Sequence, residues 1–340
     1  MTNTLHLVVP SLFLPAPAAA DACSGLDLSA LQKLLARARA EPLATTSLEA
    51  WLCDVFGVAE LAIAPITLQA DGVAPGAAAW LRADPVHLLL QRERMILQGG
   101  LRLSGDEAQE LCASLNSHFA QDGLYFVALH PQRWYVRVNE VPDMHALPLA
   151  QVAGRNIHKL MPQGVDALRW NRLANEIQML FYEHAVNLAR ETRGELVVNS
   201  VWFWGGGRKG TALARPFSRV WGDSELAAAF AHVADIPHAL LPLQAAQCVM
   251  GEGGAEGDVL VVWEGLRTAL QMGDLHAWRV SLQDLERRYI APLLAALRTG
   301  QLARLVLHVP DEDGAQSFVL SRGAAWKLWC RGKSLSSYGV

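Results

Sequence analysis

The sequence predicts an α/β fold: a mostly parallel sheet covered by helices on both faces, with a small α+β unit inserted into the chain. Three observations carry this. The 340 residues are 51% hydrophobic and 18% charged, enough apolar material for one large domain or two smaller ones. Short apolar runs alternate with amphipathic helical stretches, the order of parallel strands joined by crossover helices. Between residues 79 and 150 that order gives way to a strand, a capped helix and two closely spaced strands. Low charge with high hydrophobicity excludes a disordered chain, and a net charge of -4 gives no basic face for nucleic acid.

Leu5 to Val9 forms a first buried strand, ended by Pro10. Met1 to Ala20 has no Lys or Arg ahead of its apolar run, and Pro10, Pro15 and Pro17 interrupt it. It therefore lacks the pattern of a secretory signal or a membrane span, and a cytoplasmic protein is expected. Cys23, Cys53, Cys112, Cys248 and Cys330 show no CxxC spacing, which excludes a disulfide framework and a structural zinc site.

Asp27 caps a helix with Leu28, Leu31, Leu34 and Leu35 on one face, stopped by Pro42. Ser47 opens a second helix that Gly57 closes. Residues 58–80 are rich in Ala, Gly and Pro and read as a crossing between substructures. Leu81 to Leu90 is a strand. Ser104 and Glu107 form a capping box for a helix running to Gly123. Leu124 to Leu129 and Trp134 to Val138 are two further strands. Residues 165–193 have helical periodicity, and Leu196 to Phe203 is a strand that runs into Gly205-Gly206-Gly207. A helix near 224–234, a strand at Val259 to Val262, a long helix over 277–298 and a strand at Arg304 to Val309 complete the order. Asp311-Glu312-Asp313-Gly314 lacks the spaced ligands of a calcium loop and predicts a hairpin turn.

Two groups of residues invite chemistry. Gly205 to Gly207, followed by Arg208 and Lys209, can present amides and charge to a phosphate. Lys209 precedes Gly210, so the run is not a Walker loop, and a tight turn without a ligand explains the glycines equally. His184, Asn187 and Arg190 share a helix face, able to hold an anion or to bond a neighbouring loop. Trp326-Lys327-Leu328-Trp329, with Arg331 and Lys333 behind it, offers a docking edge or a final strand with a basic tail. No hydrolase, zinc-protease or Cys–His signature is present.

The run His184-Ala185-Val186-Asn187, with Arg190, Gly194, Asn199 and Trp202-Phe203-Trp204-Gly205-Gly206-Gly207, resembles the archaeal-type cofactor-independent phosphoglycerate mutases of the alkaline-phosphatase superfamily. The resemblance extends more faintly over Leu81 to Asp84, Leu103 to Phe119 and the C-terminal third. It implies an alkaline-phosphatase-like core, residues 1–78 and 165–325, interrupted by a substrate-binding α+β domain at 79–150, with 151–164 as linker and 326–340 as tail. It also implies two divalent metals held by Asp and His, with a nucleophilic Ser. Those ligand positions are not filled. The first strand ends Val9-Pro10-Ser11 where Asp-Gly is called for. Two ligand positions fall on Arg267 and Gln271, and His308-Val309-Pro310-Asp311-Glu312 stands in place of the late ligand motif.

Arg82-Ala83-Asp84-Pro85-Val86-His87, Trp134-Tyr135 and Asn175 to Leu180 resemble the bacterial RpfE-type regulatory proteins, distant relatives of those mutases. The expectation is a non-catalytic regulatory protein of a Gram-negative cytoplasm, with no metal and no cofactor. It binds a protein partner or a small phosphorylated ligand and engages neither nucleic acid nor membrane. Arg82, His184, Asn187, Asn199, Arg208 and Lys209 are the ligand-binding candidates. A metal-dependent mutase or phosphatase with rearranged ligands is the alternative, and an interaction module using the Trp-rich C-terminal edge is a third reading.

Overall fold

In the computed structural model, which describes residues 4–249, 257–312, 314–327, 330 and 332–338, the strands run in chain order as follows. They are β1 (Thr4–Val8), β2 (Arg39–Pro42), β3 (Ala79–Gln91), β4 (Arg94–Gln98), β5 (Tyr125–His130), β6 (Arg133–Val138), β7 (Ser200–Arg208), β8 (Arg219–Gly222), β9 (His238–Ala239), β10 (Val259–Val262), β11 (Arg304–Val309) and β12 (Gln316–Ser321). The chain divides into two units, Met1–Gly57 with Ala212–Val340, and Val58–Thr211.

The first unit is built on a 7-stranded sheet of order β2-β12-β11-β1-β10-β8-β9. β11, β1, β10, β8 and β9 are parallel, and β12 and β2 extend the edge antiparallel. Alternation along β1 sends Leu5 and Leu7 into one core, with Leu305, Leu307, Trp278, Leu282 and Leu293. His6 lies on the opposite face, near Phe217 and His308, and the Trp51 ring of the helix Leu48–Val55 covers His308. Helices thus cover both faces, as expected of a parallel sheet.

The long C-terminal helix is continuous through a π turn, as Leu275–Leu285, Glu286–Ile290 and Ala291–Thr299. At the π turn the Glu286 carboxylate accepts from the backbone N–H groups of Ala30 (2.6 Å) and Leu31 (2.9 Å). The helix Ser29–Arg37 has no capping side chain at its own N-cap, so a residue far along the chain satisfies its first amides. Asp27, the expected cap, accepts from Ser29 N just ahead of it.

The second unit is an antiparallel sheet. The N-terminal half of β3 lies between β6 and β7, its C-terminal half pairs with β4, and β5 pairs with β6. The Ser104–Glu107 capping box forms at the start of the helix Gly105–His118. This unit is larger than the expected 79–150 insertion. Residues 165–211 belong to it because Trp170, Ile177, Phe181, Val186, Val201 and Phe203 share one core with Leu81, Leu111 and Trp134. The expected linker 151–164 also lies inside it.

Three further expectations change. The crossing at 58–80 contains a helix, Ile63–Ala70, whose Pro65 sits in the first turn, where its missing N–H costs nothing. The helix expected over 165–193 is two, Ala167–Tyr182 and Ala185–Thr192. Gly205 to Gly207 lie within β7 rather than after it. β11 and β12 pair antiparallel around the expected hairpin turn, of which Asp313 lies outside the described residues. Among the described residues no helix is long and apolar enough to cross a membrane.

Candidate functional site

Parallel strands end together, and the crevice beyond their carboxyl ends is where α/β sheets place ligands. Here Val8, Val262 and Val309 close β1, β10 and β11 side by side. Ser11, Glu264, Arg267 and Asp311 follow them directly. Glu49, in the first turn of the helix Leu48–Val55, completes the group.

Arg267 is the centre. Its Nη1 donates to Glu49 Oε1 at 2.7 Å and its Nη2 to Glu264 Oε1. The Glu49 side chain is 3% exposed, and its second oxygen has no hydrogen-bond partner. Asp311 accepts from Ser11 N at 2.6 Å through Oδ1, while its Oδ2 is likewise buried and unpartnered. Ser11 reaches this position with φ 61, a left-handed conformation that glycine adopts more readily. Its carbonyl accepts from Trp278 Nε1. Burial pushes the Asp311 carboxyl up to about 6, against the pull of the Ser11 and Phe13 amides and of Arg267. Two carboxylates therefore pair with the one guanidinium, and Asp311 feels its charge without being bonded to it.

The two divalent metals of the resembling mutases do not fit these residues. A fixed cation already lies between the two best-placed carboxylates and repels a second. Among the described residues no group of three or more His, Cys, Asp or Glu is placed to hold a metal ion.

The ligand candidates named from the sequence all fall in the second unit, where the polar atoms of all but Lys209 are bonded within the fold. Arg82 pairs with Asp84 at 2.7 Å, stacked near the rings of Tyr135 and Trp204, and Trp204 Nε1 donates to the other Asp84 oxygen. His184 caps the helix Ala185–Thr192 by accepting from Val186 N, and its other nitrogen pairs with Ser114. Asn187 donates to the carbonyls of Phe181 and Val198 and accepts from Val198 N. Asn199 exchanges both bonds with the backbone of Leu88, extending the β3 ladder. Arg190, 2% exposed, ties Leu196, Arg102 and Glu107 together. Arg208 donates to the carbonyls of Ala77 and Asn139, and Lys209 is exposed.

The glycine cluster is shaped by packing. A Cβ on Gly207 would come within 2.4 Å of Ala62 Cβ, and one on Gly206 within 3.1 Å of Leu81. Gly205, at φ 62, faces Ile63. The glycines let the helix Ile63–Ala70 lie against β7, so no phosphate cradle is needed to account for them.

In the sequence Arg267 stands as a cation in a ligand position and Asp311 as part of a turn. Glu49 carries no such signal in the sequence, where an acidic residue in a first helical turn is ordinary complementation of the helix dipole.

No protein-family model matches the chain. A 2,3-bisphosphoglycerate-independent phosphoglycerate mutase of Methanosarcina mazei is 25% identical over 232 residues, 62% of this chain and 57% of that protein. The chain thus matches little more than half the length of this relative. Two solved structures align with 99% of the chain. The PH0037 protein of Pyrococcus horikoshii has a TM-score of 0.57 at 10% identity, with 92% of its own length covered. A cofactor-independent phosphoglycerate mutase of Thermoplasma acidophilum has a TM-score of 0.50 at 14% identity, with 95% covered. The fold is alkaline-phosphatase-like. At these identities the likeness to solved structures concerns the fold, and activity rests on the site.

Proposed function

We propose that this chain is a non-catalytic regulatory protein on a phosphoglycerate-mutase-like fold, acting by binding a protein partner or a small phosphorylated ligand. The observation that carries the reading is the Arg267 guanidinium held between Glu49 and Glu264 at the carboxyl ends of the parallel strands. Two-metal phosphoryl transfer needs cations with open coordination positions on the attacking and leaving oxygens. A guanidinium tied to two carboxylates has no such position and does not acidify water. The sequence resemblance to the RpfE-type proteins supports a regulatory role in a Gram-negative cytoplasm. If the ligand is a phosphorylated acid, Arg208 and Lys209, both exposed, and Arg82, released from Asp84, are the cations offered to it.

The second reading is a metal-dependent mutase or phosphatase with rearranged ligands. It is favoured by the activity named for the Methanosarcina relative and by the spare oxygens on Glu49 and Asp311. The third, a C-terminal interaction edge, retains Trp326, which is exposed with Arg298 over its ring. Leu328, Trp329 and Arg331 lie outside the described residues.

The test is turnover of 3-phosphoglycerate and of an artificial phosphate ester with manganese or zinc added. The expected result is no turnover above a protein-free control. Sustained turnover that Glu49→Gln abolishes would overturn the proposal. Calorimetric titration with 3-phosphoglycerate, repeated on Arg82→Ala and Arg208→Ala, then separates a small-ligand role from a purely protein-binding one.

A further inference from the structure

The helix Ala167–Tyr182 has two faces with an apolar component. One is packed, with Trp170, Ile177 and Phe181 in the core of the second unit. The other is open to solvent and carries Leu168, 62% exposed, Met179, 70%, and Tyr182, 79%. With Arg172 and Asn175 these form a stripe at spacings of four, three, four and three residues. That is the seam of a helix pair, two heptads long, with Asn175 at its centre and Arg172 one turn before it.

The charges in and beside the stripe are arranged about that Asn. Arg169, Arg172, Glu176 and Glu183 are exposed and, among the described residues, form no ion pair within the chain. At about 100° per residue all four fall on the same flank of the stripe. We propose that this face pairs antiparallel with the same helix of a second copy of the chain, with the two-fold axis at Asn175. A two-fold axis there brings the charged flank against itself in reverse order. Leu168 then lies opposite Tyr182 of the second copy, each seven residues from the axis. Arg172 lies beside Glu176 of the second copy and Arg169 beside Glu183. Each of these pairs is offset by two residues, about 3 Å along the helix. A parallel two-fold pair would instead turn this flank toward the opposite one, which carries the uncharged Asn171 and Gln178, and would set Arg172 of the stripe on Arg172, so the charge pattern selects the antiparallel arrangement. The inference is independent of the reading of the Arg267 cluster, which lies in the other unit.

The test is the solution mass of the full chain by light scattering at about 100 μM, a concentration at which a modest helix-pair interface is populated. The expected result is twice the 37.0 kDa chain mass. Met179→Glu, at an exposed position, is expected to give a monomer with unchanged circular dichroism. Arg172→Glu is expected to weaken the dimer and Arg172→Glu with Glu176→Arg to restore it. Asn175→Cys is expected to form a disulfide-linked dimer under mild oxidant where the wild-type chain does not. A monomeric wild-type chain would overturn the proposal. So would a dimer that Met179→Glu leaves intact, or the absence of cross-linking through position 175.

Discussion

Replacing Arg267 by Met tests whether the guanidinium is a structural counter-ion. The Glu49 side chain is 3% exposed and would lose its charged partner, leaving both of its oxygens without a hydrogen bond. Glu264, 21% exposed, can hydrate instead. The cost is therefore set by Glu49, about 3–5 kcal/mol for a buried charge left alone. At roughly 2–4 °C per kcal/mol for a unit of this size, the melting transition of the first unit falls by on the order of 10 °C. Glu49→Gln alone leaves Arg267 paired with Glu264 and costs about 1–2 kcal/mol. The double variant keeps no uncompensated buried charge, so it is more stable than Arg267→Met alone and the cycle shows a coupling of about 2 kcal/mol. The assay is calorimetry of the four proteins, following the transition of the first unit. An Arg267→Met loss below about 0.5 kcal/mol, or additive single losses, would refute the reasoning.

Two of the groups that shape acid stability oppose each other. Burial and the neighbouring His6 push His308 from 6.5 down to about 3, so the stability it contributes is present above 6.5 and is lost as pH falls, at about 1.4 kcal/mol per unit. Asp311, raised from 3.8 to about 6 by burial, does the reverse: its contribution is full below 3.8 and is lost as pH rises through 6. The two cancel between pH 3.8 and 6, so denaturation profiles of Asp311→Asn in that window should steepen with falling pH, while those of His308→Gln should slope the other way. Asp311→Asn is also expected to stabilise the protein at pH 7.5, and a loss there would contradict the assignment. Gly207→Ala forces a Cβ against Ala62 and should cost about 1–3 kcal/mol by thermal melting, with no phosphate involved. Arg190→Ala removes its bonds to the carbonyls of Leu196 and Arg102 and its pairing with Glu107. It should destabilise the second unit by about 3 kcal/mol, read by hydrogen exchange of β7 and the helix Gly105–His118.

What was legible in the sequence was local. The apolar run of β1, the Ser104–Glu107 capping box, Ser47 accepting from Ala50 N and the β11–β12 pairing each depend on residues a few positions apart. The decisive contacts of the candidate site are distant. Glu49 and Arg267 are separated by 218 residues, and Glu286 reaches Ala30 across 256. No periodicity or spacing brings such pairs together. Residue type was also ambiguous in a physical sense. A glycine triplet means that no Cβ fits, and only Ala62, Leu81 and Ile63 reveal that the neighbour is a packed helix and strand rather than a phosphate. His184, Asn187 and Arg190 do share a region, as their spacing implied, and the structure assigns them to capping and to bridging backbone carbonyls.

Retained metal measures the central claim most directly. The purified chain is loaded with excess manganese and zinc, desalted, and its metal content counted by mass spectrometry. With Arg267 filling the space between Glu49 and Glu264, the expected content is far below one ion per chain. Two tightly held ions per chain would contradict the guanidinium-filled site and return the protein to the metal-dependent phosphoryl-transfer enzymes.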